Sequence, residues 1–317
     1  MLAIKQYIET VNKAIEEIEY PATPAGLYQP IKYALEAGGK RMRPVLLLAS
    51  CNAFGGDLEH AIWPAVGIEI FHNFTLVHDD VMDHADVRRG RPTVHKKWNT
   101  NTAILSGDAM VTMAYKCMAG CQPMYLPEVI DKFGMMTMNV YEGQQIDEDF
   151  EKLTEVSFDE YLKMIMGKTS ALIAYPLAIG AVLSGAQQAD VEAMFNFGVS
   201  LGIAFQMQDD YLDVYGDPAT FGKAIGGDIL NDKKTWLHII AKDKAKEQIE
   251  ALSALEGDEK IMAVTALYDS LSLRIQGQKL IEKYTQDAIE YLNATTMPQD
   301  AKDWFVSFSN SLIGRKK

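Results

Sequence analysis

The run Phe71-His72-Asn73-Phe74-Thr75-Leu76-Val77-His78-Asp79-Asp80-Val81-Met82-Asp83 places three aspartates at the end of an apolar, helix-like segment. Carboxylates in such a setting are costly unless they hold a metal or a partner. A helix turns about 100° per residue, so positions i and i+4 share a face. Asp79 and Asp83 therefore project together. His72 lies within about 20° of both around the helix axis, and Thr75 and Leu76 complete the stripe.

The same pattern returns 130 residues later as Asp209-Asp210-Tyr211-Leu212-Asp213. Gln206, Asp209, Asp210 and Asp213 form a polar stripe in a segment rich in Leu, Ile, Phe and Met. Two such faces brought together make an oxygen-only cage of high negative charge. That donor set suits Mg²⁺, which takes one or two carboxylates, several waters and substrate phosphates. The bland alternative is a solvated acidic face, against which the apolar remainder of both helices speaks.

Outward from these clusters the periodicity is helical almost throughout. The spacing predicts helices over 3–19, 27–37, 43–54, 61–82, 102–120, 124–146, 158–166, 169–184 and 187–214. Further helices are predicted over 235–243, 247–254, 259–272, 276–293 and 300–313. Residues 88–92 read as a polar loop and 217–232 as a glycine-rich one, and no period-2 stretch demands a strand. The expected fold is all-α: one domain over 1–317, a bundle of many helices around a central active-site cavity.

The chain has 317 residues, 48% of them hydrophobic, enough for a substantial core. A net charge of −13 argues against nucleic acid or anionic lipid as partners. Cys51, Cys117 and Cys121 lack the His and Cys companions of a zinc site and read as free buried thiols. That usage, and an N-terminus without a signal-peptide core, fits a cytoplasmic protein. No apolar run is expected to reach the roughly 20 residues that span a bilayer.

Basic residues gather around the acidic stripes. Lys40, Arg41 and Arg43 stand at a helix entrance after Gly38-Gly39, where backbone N–H groups also favour anions. Arg88, Arg89 and Arg91 follow the first cluster. Lys168-Thr169 interrupts an apolar region, and Lys223, Lys233 and Lys234 follow the second cluster. Each lysine alone reads as a surface residue; their joint placement suits diphosphates, which take bidentate arginines and point-charge lysines.

On these residues the chain resembles the trans-polyprenyl diphosphate synthases, the farnesyl and geranylgeranyl diphosphate synthase group. The resemblance runs in order through Gly38 to Pro44, His72 to Asp83, Arg88 to Thr93, Gly107-Asp108, Gly143 to Asp147, Gly167-Lys168-Thr169, Gln206 to Asp213, Gly226-Gly227-Asp228 and Lys233-Lys234-Thr235. It implies condensation of isopentenyl diphosphate with an allylic diphosphate. Asp79, Asp83 and Asp209 would hold about three Mg²⁺ ions, with Asp80, Asp210 and Asp213 as support or further ligands. Arg88, Lys168, Lys223 and Lys233 would bind the allylic diphosphate, and Thr169 and Gln206 would face the allylic cation. Lys40, Arg43, His72 and Arg89 would hold isopentenyl diphosphate. The tail Arg315-Lys316-Lys317 reads as a frayed, solvated terminus, with capping of the site the alternative, and a homodimer is expected.

Product length would be set on the first helix. Phe74 lies five residues before Asp79, about 7.5 Å lower at 1.5 Å per residue, and Phe71 about 12 Å lower. The family uses the Phe74 level as a floor, with Thr75 small beside it. The short Asp-Asp-x-x-Asp form leans towards twenty carbons, with fifteen the alternative and plain core packing of both rings the bland reading. A terpene cyclase shares the first cluster but normally replaces the second and needs no second diphosphate pocket. A head-to-head synthase lacks the Gly38 to Pro44 element. A catalytically silent subunit of a heteromeric synthase conflicts with intact carboxylates in both clusters.

Overall fold

The computed structural model describes residues 1–217 and 225–314. In chain order it runs through α1 (Ile4–Glu16), α2 (Ala25–Glu36), α3 (Met42–Ala53), a 3₁₀ turn (Leu58–His60) and α4 (Ile62–Met82). Two short strands follow, β1 (Val87–Arg88) and β2 (Arg91–Pro92), then α5 (Val94–Lys97), α6 (Thr100–Met118), α7 (Leu126–Lys152) and α8 (Phe158–Ile165). A π-turn (Met166–Ser170) leads into α9 (Ala171–Leu183) and α10 (Gln188–Tyr215). The remainder is α11 (Gly227–Leu230), α12 (Trp236–Leu252), α13 (Gly257–Ser270), α14 (Leu273–Ala294) and α15 (Gln299–Ile313). The all-α expectation holds.

The chain divides into two compact units, Met1–Met135 with Tyr175–Glu192, and Met136–Ala174 with Ala193–Lys317. In the first, α3 is buried along almost its whole length. It is crossed closely by α9, where Gly180 leaves no room for a Cβ against the Leu47 carbonyl and the Ser50 hydroxyl donates to the Leu177 carbonyl at 2.7 Å. α4 packs on α6, with Gly67 against the Ala114 carbonyl and Met118. In the second unit, Trp236 is fully buried and its indole N–H donates to the Met207 carbonyl of α10 at 3.2 Å. Tyr161, Ile165, Met207, Leu237 and Leu273 form the core around it.

Local chemistry sets the helix starts. Asn99 accepts from the Thr102 N–H ahead of α6, and Ser157 and Glu160 form a reciprocal capping box on α8. The predicted loop at 88–92 is instead a hairpin. Arg89 and Gly90 take φ of 51° and 72°, the two left-handed centres of a type I′ turn, which pairs Val87 with Pro92 and Arg88 with Arg91. The break expected between 243 and 247 is a kink at Ala245 (φ −148°, ψ 49°) within α12. Within the expected loop 217–232, residues 227–230 form α11.

One expectation is corrected. Through the π-turn, Phe158–Leu183 becomes a 26-residue helical run that is long and apolar enough to cross a membrane, although 78% of its most apolar window is buried inside the protein. The two predicted helices were read apart because Gly167-Lys168-Thr169 interrupts the apolar pattern between them. All three cysteines are free; Cys51 and Cys121 are buried, and burial pushes the Cys51 thiol up to about 12.

Candidate active site

Both aspartate clusters sit at helix C-termini. Asp83 caps α4 and its N–H donates to the Asp79 carbonyl at 2.8 Å, so the i, i+4 pair keeps one face. Asp209 and Asp213, half-buried, occupy the last two turns of α10. Neither helix has a basic residue in its last turn. A helix C-terminus carries partial negative charge, so carboxylates there are unfavourable until a cation arrives. Among the described residues no group of three or more His, Cys, Asp or Glu makes a ready-made metal shell. The paired, oxygen-only donors instead fit Mg²⁺, whose sphere is completed by water and phosphate oxygens.

The middle aspartate of each cluster turns inward. Asp80 is 3% exposed and accepts from Arg88 Nε at 2.7 Å. Burial raises its pKa, and Arg88 pulls it part of the way back. Asp210 is 2% exposed and accepts from the Tyr161 hydroxyl at 2.5 Å and from Gln206 Nε2 at 2.9 Å. Burial pushes Asp210 up to about 7 against the opposing pull of Lys233. Both act as anchors, and Arg88, expected on the allylic diphosphate, spends its Nε on Asp80.

The first unit also gathers basic side chains around the start of α3. Arg41, at φ 50° just before α3, is fully used: it donates to Glu69 at 2.7 Å, to Asn12 at 3.0 Å and to the Leu35 carbonyl at 2.9 Å. Both members of the Arg41–Glu69 pair are buried. This fixes the start of α3, and with it Lys40 and Arg43. Arg43 donates to His72 Nε2 at 3.1 Å. Burial, reinforced by Arg43 and Arg89, holds His72 well below the ordinary histidine range, so Nε2 accepts and Nδ1 carries the proton. Arg43 Nε and His72 Nδ1 are both buried, and among the described residues neither has a hydrogen-bond partner. Two stranded N–H donors in a positive setting call for an anion. Arg89 donates to the Gly38 carbonyl, and its guanidinium lies where a Cβ on Gly39 (φ 145°) would have to be. The positive φ at both Gly38 and Gly39 favours the glycine pair.

In the second unit Lys168 donates to Asp147 at 2.5 Å and the Thr169 hydroxyl donates to Gln206 Oε1 at 2.9 Å. Both side chains come from the π-turn, a distortion that recurs at functional sites. Gly143 and Gly167 leave no room for a Cβ between α7 and this turn, which brings Asp147 opposite Lys168. Asp213 accepts from the Asp228 N–H at 3.0 Å, and its pKa rises through burial and the Asp228 carboxylate. Lys233 lies 3.4 Å from Asp228; burial alone would lower it, but Asp210, Asp228 and Asp147 hold it above its ordinary range. Sequence reasoning gave no role to Glu69, Asp147, Tyr161 or Asp228. A Glu inside an apolar helix, and an aspartate one turn after Gly143, were the available signals.

The Phe71 and Phe74 rings meet at a 44° tilt with centroids 5.3 Å apart, Phe71 fully buried and Phe74 retaining 6% exposure. The Thr75 hydroxyl donates back to the His72 carbonyl. Lys223 and Arg315-Lys316-Lys317 lie outside the described residues.

Residues 24–271 match the model of the family described as polyprenyl synthetase. The geranylgeranyl pyrophosphate synthase of Geoglobus acetivorans is 41% identical over 77% of each chain. The geranylgeranyl diphosphate synthase of Sulfolobus acidocaldarius is 35% identical over 93% of this chain and 92% of its own. A crystal structure of a geranylgeranyl pyrophosphate synthase superimposes with a TM-score of 0.95 at 39% identity, covering 100% of both chains.

Proposed function

The chain belongs to the polyprenyl synthetase family and is a short-chain trans-prenyltransferase, and from that premise we propose that it extends an allylic diphosphate with isopentenyl diphosphate to geranylgeranyl diphosphate. Residues 1–317 act as one catalytic domain. Asp79, Asp83 and Asp209 hold about three Mg²⁺ ions, with Asp213 beside them. When bound, Mg²⁺ neutralises the leaving diphosphate so that its C–O bond can break. Lys168 and Lys233, with Arg88 and Lys223, add positive charge to that diphosphate. The Thr169 hydroxyl and Gln206 amide turn polar oxygens towards the allylic cation. Lys40, Arg43, His72 and Arg89 retain isopentenyl diphosphate and aim its double bond.

The observation that carries this reading is the pair of buried N–H donors on Arg43 and His72 that have no partner among the described residues. A cyclase, with one diphosphate to bind, has no use for a second anion pocket. A cytoplasmic homodimer completes the proposal, supported by free thiols and by the exposed apolar residues Ile104 and Leu105 on α6 and Met135, Met138 and Tyr141 on α7. The test is product analysis with labelled isopentenyl diphosphate and dimethylallyl, geranyl or farnesyl primer, with Mg²⁺ and with chelator. A Mg²⁺-dependent twenty-carbon diphosphate is expected; a main product of fifteen carbons, or longer than twenty, overturns the product assignment.

A further inference from the structure

His78 directly precedes the first cluster, yet nothing in the chemistry above uses it. Its side chain points about 100° away from that of Asp79 around the helix. It instead continues the stripe of Phe71 and Phe74, at i, i+3 and i+7. The Phe74 and His78 rings meet edge to face at 4.6 Å between centroids. The other side of the imidazole is seated on α6. His78 Nε2 lies 3.2 Å from the Ile104 carbonyl, which can only accept, so Nε2 carries the proton and the ring is held by that bond. Gly107 forms the seat: a Cβ there would overlap the Nε2 and Cδ2 atoms of His78.

The imidazole is therefore pinched between a notch in α6 and the ring of Phe74. Below it, Phe74 meets Phe71 at a tilt, Phe71 meets Phe133 edge to face at 5.7 Å, and Phe133 meets Tyr115 edge to face at 4.7 Å. Of Phe71, Phe74 and Phe133, only Phe74 retains exposure. Taking the imidazole away would leave the Phe74 ring space on the His78 side.

We propose that His78, seated in the Gly107 notch, is a specificity-determining residue that wedges the Phe74 ring across the path of the growing chain and so fixes product length. This rests on Phe74 acting as the floor. Removing the wedge lets Phe74 lean into the vacated space and lowers the floor. Filling the notch pushes the imidazole onto Phe74 and raises the floor. The two changes act in opposite directions, which simple loss of stability would not produce.

The test measures product lengths from labelled isopentenyl diphosphate and geranyl diphosphate for Phe74→Ala, His78→Ala, His78→Phe and Gly107→Ala. Ratios among the products formed are read, so a lower rate caused next to Asp79 does not mask the result. Phe74→Ala should lengthen the product. His78→Ala should raise the ratio of twenty-five- to twenty-carbon product by about tenfold, the scale on which pocket shape discriminates apolar groups. Gly107→Ala should lower that ratio and bring up fifteen-carbon product. His78→Phe, which keeps a ring in the notch, should retain the parent length. If Phe74→Ala lengthens the product while His78→Ala does not, the wedge is overturned and the floor stands. An unchanged length in Phe74→Ala overturns the floor and the wedge built on it. Should Gly107→Ala fail to fold, the contrast between His78→Ala and His78→Phe decides alone: equal lengthening in both overturns the wedge.

Discussion

Asp80 and Asp210 hold the same place in two copies of one motif, and their surroundings differ. Asp80 is clamped by a cation, the guanidinium of Arg88. Asp210 is clamped by two neutral groups, Tyr161 and Gln206. Both are buried, so both are anchors for the outer aspartates beside them. The first anchor depends on a cation in direct contact, and the second on two neutral hydrogen bonds with the charge of Lys233 acting from further off. Replacing a carboxylate with an amide of the same shape therefore means different things in the two units.

The largest expected effect separates the outer aspartates from the middle ones. Asp79→Asn and Asp209→Asn should each lower kcat about a thousandfold, the scale for losing a group that stabilises developing charge. Incorporation of labelled isopentenyl diphosphate measures it, at fixed folded fraction. The division of roles breaks if Asp80→Asn or Asp210→Asn costs as much with unchanged stability.

Next comes the buried pair beneath the anion pocket. Arg41→Met leaves the buried Glu69 carboxylate charged with the Asn73 amide but without its ion-pair partner, which should cost about 3–5 kcal/mol in a urea titration. Adding Glu69→Met should recover most of it. The double variant tests the pocket separately: its KM for isopentenyl diphosphate should stay high because Lys40 and Arg43 lose their fixed start. Full recovery of KM would reduce Arg41 to packing.

The contrast between the middle aspartates is smaller. Asp80→Asn strands Arg88, which is part-exposed and can find water, for roughly 2 kcal/mol. Asp210→Asn should cost under about 1 kcal/mol. The Gln206 amide can turn over to face the new NH₂, since the Thr169 hydroxyl both donates and accepts. Urea titrations of the two variants sharpen the comparison, and equal costs would erase it.

The smallest effect concerns His238, a buried histidine of the second unit. His238, like His72, is held neutral by burial with nearby cations, and its pKa is lowered to about 4. Its folded pKa lies below the unfolded value of 6.5, so the unfolded chain takes up the proton first. Stability is therefore intact above pH 6.5 and falls as pH drops from 6.5 towards 4, by about 1 kcal/mol at pH 5.5. His238→Gln should flatten that part of a stability-against-pH curve; an unaltered slope would mean that other groups set it.

The outer aspartates were legible because i, i+4 spacing is simple arithmetic on a helix. The same arithmetic put His72 on their stripe. The Arg88–Asp80 bond was not legible because its reach depends on a two-residue hairpin, and the left-handed Arg89 that permits it leaves only a weak trace in composition. Asp147 could not be paired with Lys168 from sequence, since the pairing rests on two glycines 24 positions apart meeting backbone to backbone. Glu69 stood in plain view as a carboxylate in an apolar helix, but its partner Arg41 was counted with the substrate-facing cations. Tertiary contact, which no local pattern encodes, decided each of these.

The π-turn at Met166–Ser170 is a helix with one residue more than its hydrogen-bond ladder counts. Deleting one residue from it would bring the ladder back into step and leave a more regular backbone. Everything on one side would then be out of phase with the other by about 100°. Lys168 would swing off Asp147, or Thr169 off Gln206. An ordinary helix there is thus the simpler object to build and the worse one to keep. Among one-residue deletions across this region, those inside the turn should preserve folding best and activity least.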